Sequence, residues 1–72
     1  MERLLVYSLE HERPIRILWQ EEDGSFRQAN ARVTAWDGQR ATIVTARPKR
    51  TMNLPAERIL SADFRKGDEG EG

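Results

Sequence analysis

The chain has 72 residues, no cysteine, and twelve acidic side chains against twelve basic ones. That length makes one small domain able to bury roughly 60% of its unfolded surface, without disulfides or thiolate-held metal to reinforce it. Zero net charge argues against avid polyanion binding by the whole surface, and no apolar run nears the roughly 20 residues a membrane-spanning helix needs.

Residues 2–12 read as a helix. Leu5 and Leu9 fall four apart on one face, with Leu4 and Val6 alongside. Glu2 favours the helix start. Pro14 pushes Arg13 toward extended geometry and is expected to stop the helix. His11 sits at the helix exit, where a cation is mildly favoured.

From residue 15 the period changes to two. Ile15, Ile17 and Trp19 point one way, and Arg16, Leu18 and Gln20 the other, which predicts a strand with one buried face. Asp23-Gly24 turns the chain. Residues 26–36 form a second strand, with Arg27, Ala29, Ala31, Val33 and Ala35 in one phase. Its small inner side chains leave room for a close neighbour such as the helix or a tightly bent partner strand. Asp37-Gly38 makes the second turn. Residues 40–47 are a third strand around Ile43 and Val44, and Pro48-Lys49-Arg50 is expected to break it. Thr51–Leu54 is a fourth strand, Pro55-Ala56-Glu57 one tight helical turn, and Ile59–Phe64 a fifth strand with Leu60, Ala62 and Phe64 in phase.

The two Asp-Gly turns and the period-two runs predict a mainly β protein. A short N-terminal helix is followed by a five-stranded antiparallel barrel of the SH3-like or Sm-like kind. Closing the barrel would explain why Leu18 and Ile59, in the second phase of the first and last strands, are also apolar. They would lie under the helix or at a subunit contact. One domain covers 1–66. Residues 67–72 hold only Gly, Asp and Glu, and are expected to be a disordered acidic tail. Met1-Glu2-Arg3 lacks the basic-then-apolar layout of a secretory signal, so a cytoplasmic location is expected.

The zero net charge hides a gradient. Residues 1–23 carry three Arg against six acids, a balance of −3; residues 24–66 carry nine Lys or Arg against three acids, +6; the tail adds three acids. The strand-forming segment is therefore basic, with Arg27, Arg32, Arg40, Arg47, Lys49, Arg50 and Arg58 on or beside strands. Arginine suits phosphate because its planar fork gives two parallel hydrogen bonds. Arg47-Pro48-Lys49-Arg50 is expected to gather three cations in one loop. Trp36, beside the second turn, would either stack a base or close the barrel end as a half-buried residue. The same arginines would also serve as ordinary solvent-facing residues that blunt exposed edges.

The run Arg50-Thr51-Met52-Asn53-Leu54, followed by Glu57-Arg58-Ile59-Leu60-Ser61-Ala62, resembles the end of the WYL domain. Arg13-Pro14-Ile15-Arg16-Ile17 and Asp23-Gly24 resemble that family's opening hairpin. Ala41-Thr42-Ile43 stands where the family carries its Trp-Tyr-Leu tripeptide, and Pro55-Ala56 is an insertion. The resemblance spans about residues 13–64. It implies an Sm-like barrel of the kind found mostly in bacterial transcription regulators and linked to nucleic-acid or ligand sensing. A second resemblance, through the N-terminal helix and His11-Glu12-Arg13-Pro14, is to the bacterial Sm-like RNA chaperone; that protein's Tyr-Lys-His motif has no counterpart around Met52-Asn53-Leu54.

Parts for catalysis are scarce. There is one His and no Cys, and Ser8, Ser25 and Ser61 lack a nucleophile elbow. Glu21, Glu22 and Asp23 share one solvated turn, whereas an acid–base pair needs unlike environments. We therefore expect no enzyme, no cofactor and no metal. Three readings are open: a regulatory module that binds RNA or DNA, a homo-oligomer or protein-interaction module using open barrel edges, and a small anionic ligand pocket clamped by Arg50 and Arg58.

Overall fold

The structure, a computed structural model, describes residues 1–65. The expected acidic tail at 67–72 lies outside the described residues. Helix α1 spans Glu2–His11, and strands β1 Ile15–Gln20, β2 Phe26–Trp36, β3 Arg40–Ala46, β4 Lys49–Pro55 and β5 Ile59–Phe64 follow. A 3-10 turn, Ala56–Arg58, joins β4 to β5. No helix among the described residues is long and apolar enough to cross a membrane.

All five strands lie in one antiparallel sheet, in the order β4-β3-β2-β1-β5. The ladder does not close. Among the described residues β4 pairs only with β3 and β5 only with β1, so the sheet keeps two edges, at the fourth and fifth strands. β2 is the hinge of the arrangement. Its residues 26–31 pair with β1 and its residues 31–36 with β3. Half of each of its sides is thus left without a strand neighbour.

The helix covers one of those halves. It packs chiefly on β2, and is thus one of the two close neighbours that the small inner residues of that strand allowed. Leu5 and Ser8 are fully buried beneath it, and Leu9 is only partly so. The helix stops one residue before the expected end. Glu12 takes a left-handed conformation, φ 55°, and its N–H donates to the Ser8 carbonyl. The stop is therefore a left-handed cap, placed before the restriction from Pro14 takes effect.

The core is Leu5, Ile15, Ile17, Trp19, Ala31, Val33, Ala41, Ile43, Leu54 and Ile59. Strand β1 alternates as expected. Two bulges change the phase of its neighbours. In β2 the register shifts between Val33 and Ala35, which turns Ala35 out to solvent and brings Trp36 onto the core side opposite Ala41. Opposite the Leu18–Trp19 step, β5 shifts too. Ile59 faces Trp19 in the core, while Leu60 is 45% exposed. The expected phases of Ala35, Ile59 and Leu60 are corrected accordingly, because an extra residue in one strand reverses every side chain beyond it.

The hairpin loops are held by their aspartates. Asp23 Oδ1 accepts from the Ser25 N–H and hydroxyl, and Asp37 Oδ1 from the N–H groups of Gln39 and Arg40, at 2.7–2.9 Å. Gly24 and Gly38 sit at φ +91° and +92°, which only glycine adopts freely.

Candidate functional site

The cations expected to form one basic surface divide between two concavities. These are similar in volume, about 800 and 730 Å³, so their linings rather than their sizes distinguish them. The first lies between β2 and the β3–β4 hairpin. Arg32, Arg47 and Lys49 line it, together with Arg65, Gln28 and Asn30, and among the described residues no carboxylate does. Its wall includes the successive residues 28–32 of β2. Residues 28–30 of this stretch have no strand partner on the β3 side, so backbone as well as side-chain groups face the groove there.

The second concavity holds Arg27, Arg40, Arg50 and Arg58, opposite Glu21, Glu22 and Asp23. Here the charges are mixed. Arg27 Nε lies 4.0 Å from Glu21 Oε2, and the same carboxylate oxygen accepts the Trp19 indole N–H at 2.9 Å. Arg40 Nε donates to Asn53 Oδ1, and Asn53 Nδ2 donates to Thr42 Oγ1. The two hydrogen bonds from Ser25 hold the Asp23 carboxyl below its ordinary value, because they favour its ionised form.

The four residues 47–50 do not form one loop. Arg47-Pro48, joined by a cis peptide bond, is the whole turn, and Lys49 and Arg50 already belong to β4. Lys49 pairs with exposed Ala46 and Arg50 with buried Thr45, so their side chains leave opposite faces of the sheet. Lys49 therefore lines the first concavity and Arg50 the second. The expectation failed because a two-residue turn leaves both flanking cations free to pair in the ladder. Thr45 fixes this turn, since its hydroxyl donates to the Pro48 carbonyl at 2.7 Å and accepts the Arg50 N–H at 3.2 Å. A polar residue in the apolar phase of β3, just before Pro48, was the available signal.

Trp36 is not among the residues lining either concavity. It is half-buried against the core, and its indole N–H donates to Glu2 Oε2 at 3.2 Å. It ties the end of β2 to the start of the helix, as a residue closing one end of the fold would. Sequence reasoning did not single out Gln28, Asn30 or Arg65. The first two share the outer phase of β2 with Arg32, which was the available clue. His11 stacks on Tyr7 with ring centroids 4.7 Å apart, and Tyr7 meets Phe64 edge-on at 5.3 Å. Among the described residues no group of three or more His, Cys, Asp or Glu could hold a metal ion.

Comparison of the chain with protein-family models, with curated proteins and with solved structures gives no match.

Proposed function

We propose that the chain is a non-enzymatic binding module, a small and partly open barrel that holds a nucleic-acid strand by its phosphates. The observation that carries this reading is the groove beside β2. Among the described residues it gathers Arg32, Arg47 and Lys49 without a carboxylate, while every acidic residue of the β1–β2 loop lies in the other concavity. Cations facing water without acidic neighbours keep their whole field for an incoming anion. Among the described residues these three make no ion pair, so binding phosphate breaks nothing. The likeness of the chain to WYL and Sm-like domains points the same way. The second concavity suits an anionic ligand less well, since Glu21, Glu22 and Asp23 repel what Arg50 and Arg58 attract.

The test is a fluorescence-anisotropy titration with single-stranded RNA and DNA over a range of salt. Three phosphate contacts to a single strand give a slope of about −2 in log affinity against log salt. Flat titrations at low salt, up to high micromolar protein, would remove the proposal.

A further inference from the structure

The two free edges of the sheet are not alike. β5 carries a bulge, and Leu60 and Asp63 interrupt it. Bulges and charges are the devices that keep an edge from pairing. β4 has neither in its middle. It runs seven residues, Lys49–Pro55, in unbroken register with β3, and its central residues Thr51, Met52 and Asn53 are uncharged. Thr51 and Asn53 are exposed. A straight edge with an uncharged middle is a template for another strand.

We propose that β4 pairs antiparallel with β4 of a second copy about a two-fold axis at Met52. That register alone sets all seven residues opposite a residue of the partner, with Pro55 offering only its carbonyl. It sets Thr51 against the partner copy's Asn53 and Met52 against the same residue of the partner, and it keeps inner side chains with inner ones. The cationic end of β4, Lys49-Arg50, then meets the partner copy's Leu54-Pro55 end. Leu54 and Pro55 line the concavity that holds Glu21, Glu22 and Asp23 beside four arginines, and Glu22 is the carboxylate there that a partner's cation can take. Within one copy Glu22, Arg50 and Arg58 make no ion pair among the described residues, so both signs of charge remain available to a partner. A chain of 72 residues is marginal alone, and association stabilises it by mass action. The pairing is separate from the nucleic-acid reading. It sets the two copies of Lys49 about 20 Å apart along the strands, with a cationic groove near each.

Sedimentation equilibrium of the full chain, without nucleic acid, tests the proposal from about 10 µM to about 1 mM. One strand pair buries little surface, so a dissociation constant on the order of 100 µM is expected. The mass should rise from 8.3 kDa toward twice that value. Two double variants test the register. T51K/N53K sets lysine opposite lysine twice and should abolish the rise. T51K/N53D sets lysine opposite aspartate twice and should retain or strengthen it. Circular dichroism checks that both fold; the positions are exposed, so both should. A chain that stays monomeric throughout overturns the proposal. So does a dimer indifferent to T51K/N53K, or a folded T51K/N53D that no longer associates.

Discussion

The Ser8 hydroxyl stands between β1 and β2 and bonds the Val33 N–H at 2.9 Å. It also donates to the Arg13 carbonyl at 2.6 Å. The register Ile15↔Ala31, carried two residues further, would set Arg13 opposite Val33. The chain before β1 instead turns away into the helix. The hydroxyl thus completes a rung of the ladder that the backbone no longer reaches, beside the bulge that follows Val33.

Replacing Ser8 with Ala should therefore cost more than the loss of an ordinary surface hydrogen bond. Both a buried N–H and a carbonyl would lose their partner, in a site with no exposure at Ser8. The expected loss is about 1–3 kcal/mol, read from the urea unfolding midpoint. Exchange of the Val33 amide, followed by NMR, should speed up relative to its neighbours. An unchanged midpoint together with unchanged Val33 exchange would show that the hydroxyl is dispensable.

The hairpin glycines make a narrower prediction. A Cβ on Gly24 or Gly38 would meet nothing within 4 Å, so the cost of alanine there is backbone strain alone. It should be about 1 kcal/mol at each site, from the left-handed conformation that a side chain disfavours. Asparagine, which tolerates this region better, should cost less. Thermal melts of G38A and G38N separate the two. Equal melting temperatures would mean that the loop simply rearranges.

Much of this fold is written locally. The two Asp-Gly turns place the loops, and the alternation in Ile15–Gln20 places the first buried face, because turn chemistry and a period of two act within a few residues. The small phase of β2 announced a close neighbour, and the helix occupies that place. What escaped reading were long-range adjustments. The bulges that expel Ala35 and Leu60 depend on fitting β2 and β5 to their partner strands. The stop at Glu12 depends on a non-glycine residue accepting a left-handed conformation. For the candidate site, composition marked the cations one by one. Their division between two concavities follows from the two-residue turn at Arg47-Pro48 and from the pairing of β2 with two different strands. Neither is visible from charge alone.

Acid should loosen the hairpins before it affects the core. Asp23 and Asp37 both titrate below the ordinary 3.8, because hydrogen bonds from Ser25 and from the N–H groups of Arg40 and Gln39 favour the ionised form. The unfolded chain thus takes up protons first as the pH falls. The stabilisation from these carboxylates is complete above the ordinary value and is lost as the pH drops through the lower folded values. Urea midpoints measured at about pH 6 and about pH 3 should differ more for the wild type than for D23N/D37N. If the two proteins lose stability in parallel, other carboxylates govern the acid response.

The division of cations predicts a division of effects on nucleic-acid binding. Arg47→Ala and Lys49→Ala act on the groove beside β2. Each should lower the affinity for a single strand and reduce the magnitude of the salt slope by about 0.7. Arg27→Ala acts on the mixed concavity, where Glu21 already lies 4.0 Å from the guanidinium. It should leave both affinity and slope near wild type, since an arginine facing a carboxylate offers little net field to a phosphate. Anisotropy titrations of the three variants at matched salt make the comparison. Equal losses from Arg27→Ala and Lys49→Ala would mean that the strand is held by diffuse charge, and the groove beside β2 would lose its claim to the site.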